Sequence, residues 1–180
     1  MPPSPETKLI FTIGHSTRTL QEFLDLLRTN QIEVLADVRR FPGSRKFPHF
    51  SKENLEISLP KAGIQYLHFE NLGGRRKGNP DSKNSAWRLA SFKAYADYME
   101  TPEFTDAAQE LQELATGKRV AYMCSEAVWW SCHRALVSDY LKVRGWEVRH
   151  VMGPGKTTEH PYTGPAKIVN GQLDYSKDEP

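Results

Sequence analysis

Two cysteines in 180 residues are too few for a disulfide framework, which leaves metal binding, thiol chemistry or plain burial as their uses. No apolar run approaches the roughly 18 residues that a membrane-spanning helix needs, so no membrane partner is expected. The start, Met1-Pro2-Pro3-Ser4-Pro5-Glu6, has neither the basic nor the apolar part of a secretory signal, and a cytoplasmic location is the expectation. The usual nucleotide signatures are missing too: neither G-x-G-x-x-G nor G-x-x-x-x-G-K-[ST] occurs. The zinc deaminase pattern, H-x-E followed by P-C-x-x-C, is also absent. There is no internal repeat.

What is present describes an ordinary globular chain, 38% hydrophobic and 26% charged, long enough for one core and too short to argue for two. The net charge of +2 hides an uneven distribution. Residues 37–93 carry 12 Lys/Arg against 5 Asp/Glu, while the remainder carries 12 against 17. One part of the surface is therefore basic, which suits an anionic partner such as a nucleotide, a nucleic acid or another phosphate.

Along the chain, short apolar runs alternate with helical spacings. Residues 8–13 read as a strand, and Leu20, Phe23, Leu24, Leu26 and Leu27 then recur as on a helix, with Ser16, Thr17 or Thr19 as its cap. Further strands are expected over 32–38, 64–69, 119–123 and 146–152. Helices are expected over 51–59, ended by Pro60, from Trp87 to Met99, over 102–115, and over 135–141. The basic, Gly- and Asn-rich stretch 75–85 reads as a mobile loop, and Asn170-Gly171 as the turn of a small hairpin. The expected fold is a single-domain α/β three-layer sandwich, with a mostly parallel sheet of about five strands, helices on both faces and a small C-terminal hairpin. Residues 1–7 are expected to be disordered, 8–152 to form the domain, and 153–180 to be an extension packed on it with a flexible end.

In a parallel sheet, the residues just after each strand become neighbours. Here they are unusually polar: His15 and Ser16, Asp37 and Arg39, Gly73 and Gly74, then Cys124, Ser125 and Glu126. Both cysteines, Glu126, His133 and Arg134 fall within eleven residues at one strand-to-helix crossing, where α/β proteins bind ligands. His133 and Arg134 open the helix, whose free N–H groups favour an anion.

Thr12-Ile13-Gly14-His15-Ser16, Asp37-Val38-Arg39 with Pro42, Leu72-Gly73-Gly74, and C-x-E-x5-C-H-R at Cys124–Arg134 together resemble the DUF488 family, over about residues 10–152. The resemblance implies an α/β fold and a shared polar site, and supplies no established reaction. Members commonly have a proline inside the Cys-to-Cys segment, where this chain has Trp129-Trp130.

Four chemistries fit these residues. The cysteines are buried and inert; or one is an activated thiol, with Asp37 or Glu126 as acid or base. Alternatively, Cys124, Cys132 and His133 share a metal with His15 or Asp37, or the residues recognise a phosphate without forming bonds to it. Nine residues between Cys124 and Arg134 exclude the phosphatase loop. The preferred expectation is an enzyme acting on a phosphate-bearing small molecule or nucleic acid. Asp37, Cys124, Glu126 and His133 are its catalytic candidates, and His15, Ser16, Arg39, Gly73, Gly74 and Arg134 its anion-binding ones. No cofactor is expected. Arg45, Lys46, Arg75, Arg76 and Lys77 are the nucleic-acid candidates in the alternative, a non-catalytic binding module. A thiol-redox or metal-binding protein is the third reading. Trp87, Phe92, Tyr95 and Tyr98 are expected to be the core face of a helix rather than a base-stacking platform.

Overall fold

The computed structural model describes residues 8–177, so the expectations for 1–7 and for the last three residues lie outside it. Five parallel strands form the body of the sheet: β1 (Leu9–Gly14), β2 (Val34–Asp37), β3 (Gln65–His68), β4 (Val120–Cys124) and β5 (Glu147–Gly153). A sixth, β6 (Lys156–Glu159), pairs antiparallel with β5 at one edge, and the order is β3-β2-β4-β1-β5-β6. The hairpin β7 (Lys167–Val169) and β8 (Gln172–Asp174) stands apart as its own two-stranded sheet, turning at Asn170-Gly171.

Strand alternation divides the core in two. Ile10, Val34, Ala36, Val120, Tyr122 and Val148 face a layer made of α3 (Ala90–Tyr98), α4 (Pro102–Gly117) and α5 (Arg134–Val143). Their neighbours Phe11, Ile13, Leu35, Ala121 and Met123 face α1 (Leu20–Thr29) and α2 (Lys52–Lys61). Both cores are largely aliphatic or aromatic, so the sheet is buried on each side.

The local signals explain most boundaries. Thr19, not Ser16 or Thr17, caps α1, in a capping box whose reciprocal partner is Glu22. Ser51 caps α2, which continues through Pro60 and ends at Ala62-Gly63. Pro60 has no N–H for the carbonyl four residues back, so the helix forfeits one bond and runs only one residue further. The helix expected from Trp87 begins at Ala90 instead, because Trp87 packs edge-on against Phe92 and Tyr175 below the helix start. The loop 75–85 is irregular as its composition predicts, yet tied down: Asn79, Ser82 and Asn84 all bond to Asp97 of α3. No helix among the described residues is long and apolar enough to cross a membrane.

The topology places the site. From β1 the chain steps to β2 and β3 at one edge, with α1 and α2 on one face; it then returns to β4 and goes on to β5 with α3 to α5 on the other. The adjacent strands β1 and β4 therefore send their connections to opposite faces. Their carboxyl ends splay apart, leaving a crevice at the switch point.

Candidate functional site

A cleft of about 650 Å³ opens at that crevice. Its floor is His15, Ser16, Cys124 and Cys132, with Arg39, Gly74 and His133 on the walls. Arg40, Phe41, Ser44, Lys46, Phe47 and Arg75 form the rim on one side, Ser125, Glu126 and Ala127 on the other. The loops after β1 and β4 are laced together, His15 N–H donating to the Cys124 carbonyl at 3.0 Å and Ser16 N–H to that of Ser125 at 2.9 Å. Gly14 makes this lacing possible, because a Cβ there would stand 1.7 Å from the Glu126 carbonyl oxygen. Ser16 (φ 51°) and Arg75 (φ 59°) both hold left-handed backbone at the cleft, a conformation that costs non-glycine residues energy and tends to mark functional loops.

Arg39 arrives from β2 in the grip of Asp37. Its Nε and Nη2 donate to Oδ1 and Oδ2 at 2.9 and 2.7 Å, a bidentate pair, and Tyr66 donates a 2.5 Å bond to Oδ2. Asp37 is fully buried, its oxygens are spoken for, and it does not line the cleft. It acts through Arg39. The other guanidinium nitrogen, Nη1, lies 3.4 Å from His15 Nε2. His15 Nδ1–H donates to the Ser16 carbonyl at 2.9 Å, so Nε2 is the free acceptor that faces Arg39. Burial, helped by the Arg39 charge and opposed by the Ser16 bond, lowers the His15 pKa to about 4. His15 is neutral at pH 7.

Arg134 behaves differently. It is 1% exposed and does not line the cleft. Its Nε donates to Cys124 Sγ at 3.0 Å, Nη1 to Thr12 Oγ1 at 3.0 Å, and Nη2 to the Glu126 carbonyl at 2.7 Å. The two sulfurs are 2.7 Å apart, both thiols are free, and the Arg134 backbone N–H points at Cys132 Sγ from 3.4 Å. Burial drives the Cys124 pKa up, reinforced by its bond to Cys132. Burial also opposes ionisation of Cys132, but the bond from Cys124 and the charges of His133 and Arg134 outweigh it and bring the thiol down to about 5. Of the two thiols, Cys132 is thus the one whose ionisation its surroundings favour.

Residues 19–141, more than half of the chain, match the family described as "Domain of unknown function DUF488". The chain belongs to the DUF488 family. No curated protein and no solved structure matches it. Within the matched DUF488 region lie the Asp37–Arg39 pair, Gly73-Gly74 and the whole segment from Cys124 to Arg134; the Gly14-His15-Ser16 turn precedes it.

Of the residues singled out in the sequence, the cleft brings together His15, Ser16, Arg39, Lys46, Gly74, Arg75, Cys124, Glu126, Cys132 and His133. Gly73 sits behind the wall, where a Cβ would strike the Arg40 backbone nitrogen at 2.4 Å. Arg45 and Lys77 are exposed outside the cleft, and Arg76 is turned away from it, donating to the Gly73 and Glu70 carbonyls and stacking 3.9 Å over Tyr98. Tyr95 and Trp87 are core residues. Trp130 is 55% exposed, while Trp129 stacks on His150 at 4.8 Å; neither lines the cleft. The alternative of a metal on Cys124, Cys132 and His133 does not match the geometry. His133 Nε2 is committed to the Val38 carbonyl at 2.8 Å, and among the described residues no group of three His, Cys, Asp or Glu side chains is placed to hold an ion.

Sequence reasoning missed a buried line of polar groups behind Arg134. Thr12 Oγ1 is 2.6 Å from His150 Nδ1, His150 Nε2 is 2.8 Å from His160 Nδ1, and His160 Nε2 is 2.8 Å from Asp139 Oδ1. Thr163 and Tyr175 complete the carboxylate's bonds. The available signal was polar residues at buried positions: Thr12 inside Ile10-Phe11-Thr12-Ile13, and Asp139 between Val137 and Leu141 on α5.

Proposed function

We propose that the protein is an enzyme that takes a phosphate-bearing substrate, a nucleotide or nucleic acid, into this cleft. One observation carries the reading: of the five formally charged side chains that line it, Arg39, Arg40, Lys46 and Arg75 are cations and Glu126 alone is an acid. Arg39 comes pre-oriented, and Lys46 and Arg75 stand exposed at the rim, as a site for several phosphate oxygens requires. The neutral His15 and the ionisable thiol pair on the floor would then lie next to the bound group, where acid–base or nucleophilic chemistry is possible. Phe41, 58% exposed on the rim, offers a base a surface to stack on.

Thermal-shift measurement against nucleotides, sugar phosphates and short oligonucleotides tests this. A ligand at about 100 times its Kd adds about 2.7 kcal/mol, a rise of several degrees that Lys46→Ala and Arg75→Ala should each reduce. If no phosphate compound stabilises the wild type, the reading fails. The two basic loops, at Arg45-Lys46 and Arg75-Arg76-Lys77, favour a second reading, non-catalytic nucleic-acid binding. It predicts affinity falling steeply with salt, whereas a compact nucleotide site, with fewer phosphate contacts, gives a shallow slope.

A further inference from the structure

Arg134 poses a problem of charge. Its guanidinium cannot lose its proton, it is the largest fully buried side chain, and two of its three side-chain bonds go to neutral oxygens. Among the described residues no carboxylate lies within ion-pair distance of it. An unpaired buried cation is costly enough to need a counter-charge. The one ionisable partner it touches is the cysteine pair.

The bonds behind it bring no carboxylate up to the guanidinium. Thr12 Oγ1 accepts from Arg134, so its own hydrogen goes to His150 Nδ1. His150 is then an Nε2–H tautomer donating to His160 Nδ1, and His160 Nε2–H donates to Asp139. Every donor points toward Asp139, whose negative charge is three residues removed from the guanidinium. This line fixes the plane of Arg134 without neutralising it. On the opposite side Arg134 Nε–H donates to Cys124 Sγ, which shares a hydrogen bond with Cys132 Sγ, so the thiol pair is placed to carry the counter-charge. Cys132, at 8% exposed against 2% for Cys124, is the more open residue of the two that line the cleft.

We propose that Cys124 and Cys132 are a dithiol–disulfide redox couple acting on the disulfide of a small acidic thiol compound, with Cys132 as attacking thiolate and Cys124 as resolving thiol. Cys132 Sγ attacks one sulfur of RS–SR, the S–S bond breaks, and RS⁻ leaves and takes a proton from water, forming a mixed disulfide on Cys132. Cys124 then gives its proton to water and attacks Cys132 Sγ. The second RS⁻ leaves, and the Cys124–Cys132 disulfide remains. The substrate gains two electrons and the pair loses two; a free small thiol reverses the cycle. The cationic rim suits the acidic groups of such a compound. Oxidation also strips Arg134 of its counter-charge. The reduced form is thus the stabilised one, which makes the couple oxidising.

The chemistry is independent of phosphate binding, and its test uses no phosphate. The full chain is equilibrated with glutathione and its disulfide, quenched by alkylation, and read by mass spectrometry and thermal unfolding. The two thiols should disappear together. Cys124→Ser should accumulate a glutathione adduct on Cys132, Cys132→Ser should leave Cys124 unmodified, and the oxidised wild type should melt several degrees below the reduced. An absent adduct on folded Cys124→Ser, an equally fast adduct on Cys124 in Cys132→Ser, or a more stable oxidised form would overturn the proposal. Should either variant fail to fold, limiting alkylation of the wild type decides: Cys132 should react roughly tenfold or more ahead of Cys124, and equal or reversed labelling rejects the assignment.

Discussion

Arg39 and Arg134 approach the same cleft from opposite sides, one behind β2 and one at the start of α5, and the fold neutralises them in opposite ways. Arg39 is locked to a carboxylate by two short bonds and keeps one nitrogen turned to the cleft through His15. Arg134 has sulfur, hydroxyl and carbonyl partners, and a carboxylate only at the far end of a line of neutral groups. The first arrangement is permanent. The second leaves the guanidinium's charge to be met by two thiols, so under the proposed redox role a packing requirement becomes a chemical one.

The comparison breaks most visibly at Asp37. Asp37→Ala strands Arg39, which is only 8% exposed, and should cost about 3–5 kcal/mol, the usual loss when one partner of a buried ion pair is removed. Urea denaturation reads this directly. Arg134→Met should cost less, about 1–3 kcal/mol, because the thiol pair answers the loss by taking up a proton where a carboxylate would be held charged.

That same variant sharpens the contrast at the sulfur. With Arg134 in place and Cys132 lowered to about 5, its alkylation rate should change less than about twofold between pH 8 and 6, since a thiol of that pKa stays ionised throughout. In Arg134→Met the Cys124 bond and His133 remain, so the thiol should rise only part of the way toward an ordinary one, and the rate should fall more than twofold over the same range. A rate already falling steeply in the wild type would mean that Arg134 is not paired with a thiolate.

Acid separates the two sides more gently. Burial, with Arg39 contributing, lowers His15 to about 4; burial, His160 and Arg134 lower His150 to about 2. Both folded values lie below the unfolded 6.5, so as pH falls the unfolded chain takes up protons first and stability declines from about pH 6.5 downward. The decline attributable to His15 ends near pH 4, whereas that of His150 continues below it. His15→Gln should lower the slope of stability against pH by up to about 1.4 kcal/mol per unit between those limits, with little change below them. An unchanged slope would show that His15 is protonated in the folded protein.

Much of this arrangement was legible in the sequence, for a reason that also sets its limit. Apolar runs and caps fixed five strands and their helices, and a parallel sheet must bring strand ends together, so His15, Arg39, Cys124 and His133 could be grouped before any geometry was known. β6 escaped because Lys156-Thr157-Thr158-Glu159 is a polar edge strand held by pairing with β5 rather than by burial. Roles within the group escaped because they depend on side-chain direction. Asp37 reads as a free acid until its oxygens are seen to be filled, and Arg134 as an anion clamp until its side chain is found turned under the floor. His150, His160 and Asp139 lie on different segments, 10 and 21 residues apart where they bond, and only the return of β5 and β6 past α5 joins them.

The smallest structural effect carries the most information about ligands. Lys46 is exposed at the rim, so Lys46→Ala should leave stability within about 0.5 kcal/mol of the wild type. Its loss removes one cation from the cleft without touching either buried arginine or the sulfurs. A weaker thermal shift with phosphate compounds, at unchanged thiol reactivity, would assign anion recognition to the Arg39 side and bond chemistry to the Arg134 side. A parallel fall in the rate of attack on an acidic disulfide but not on an uncharged one would instead make the rim a common entry for both.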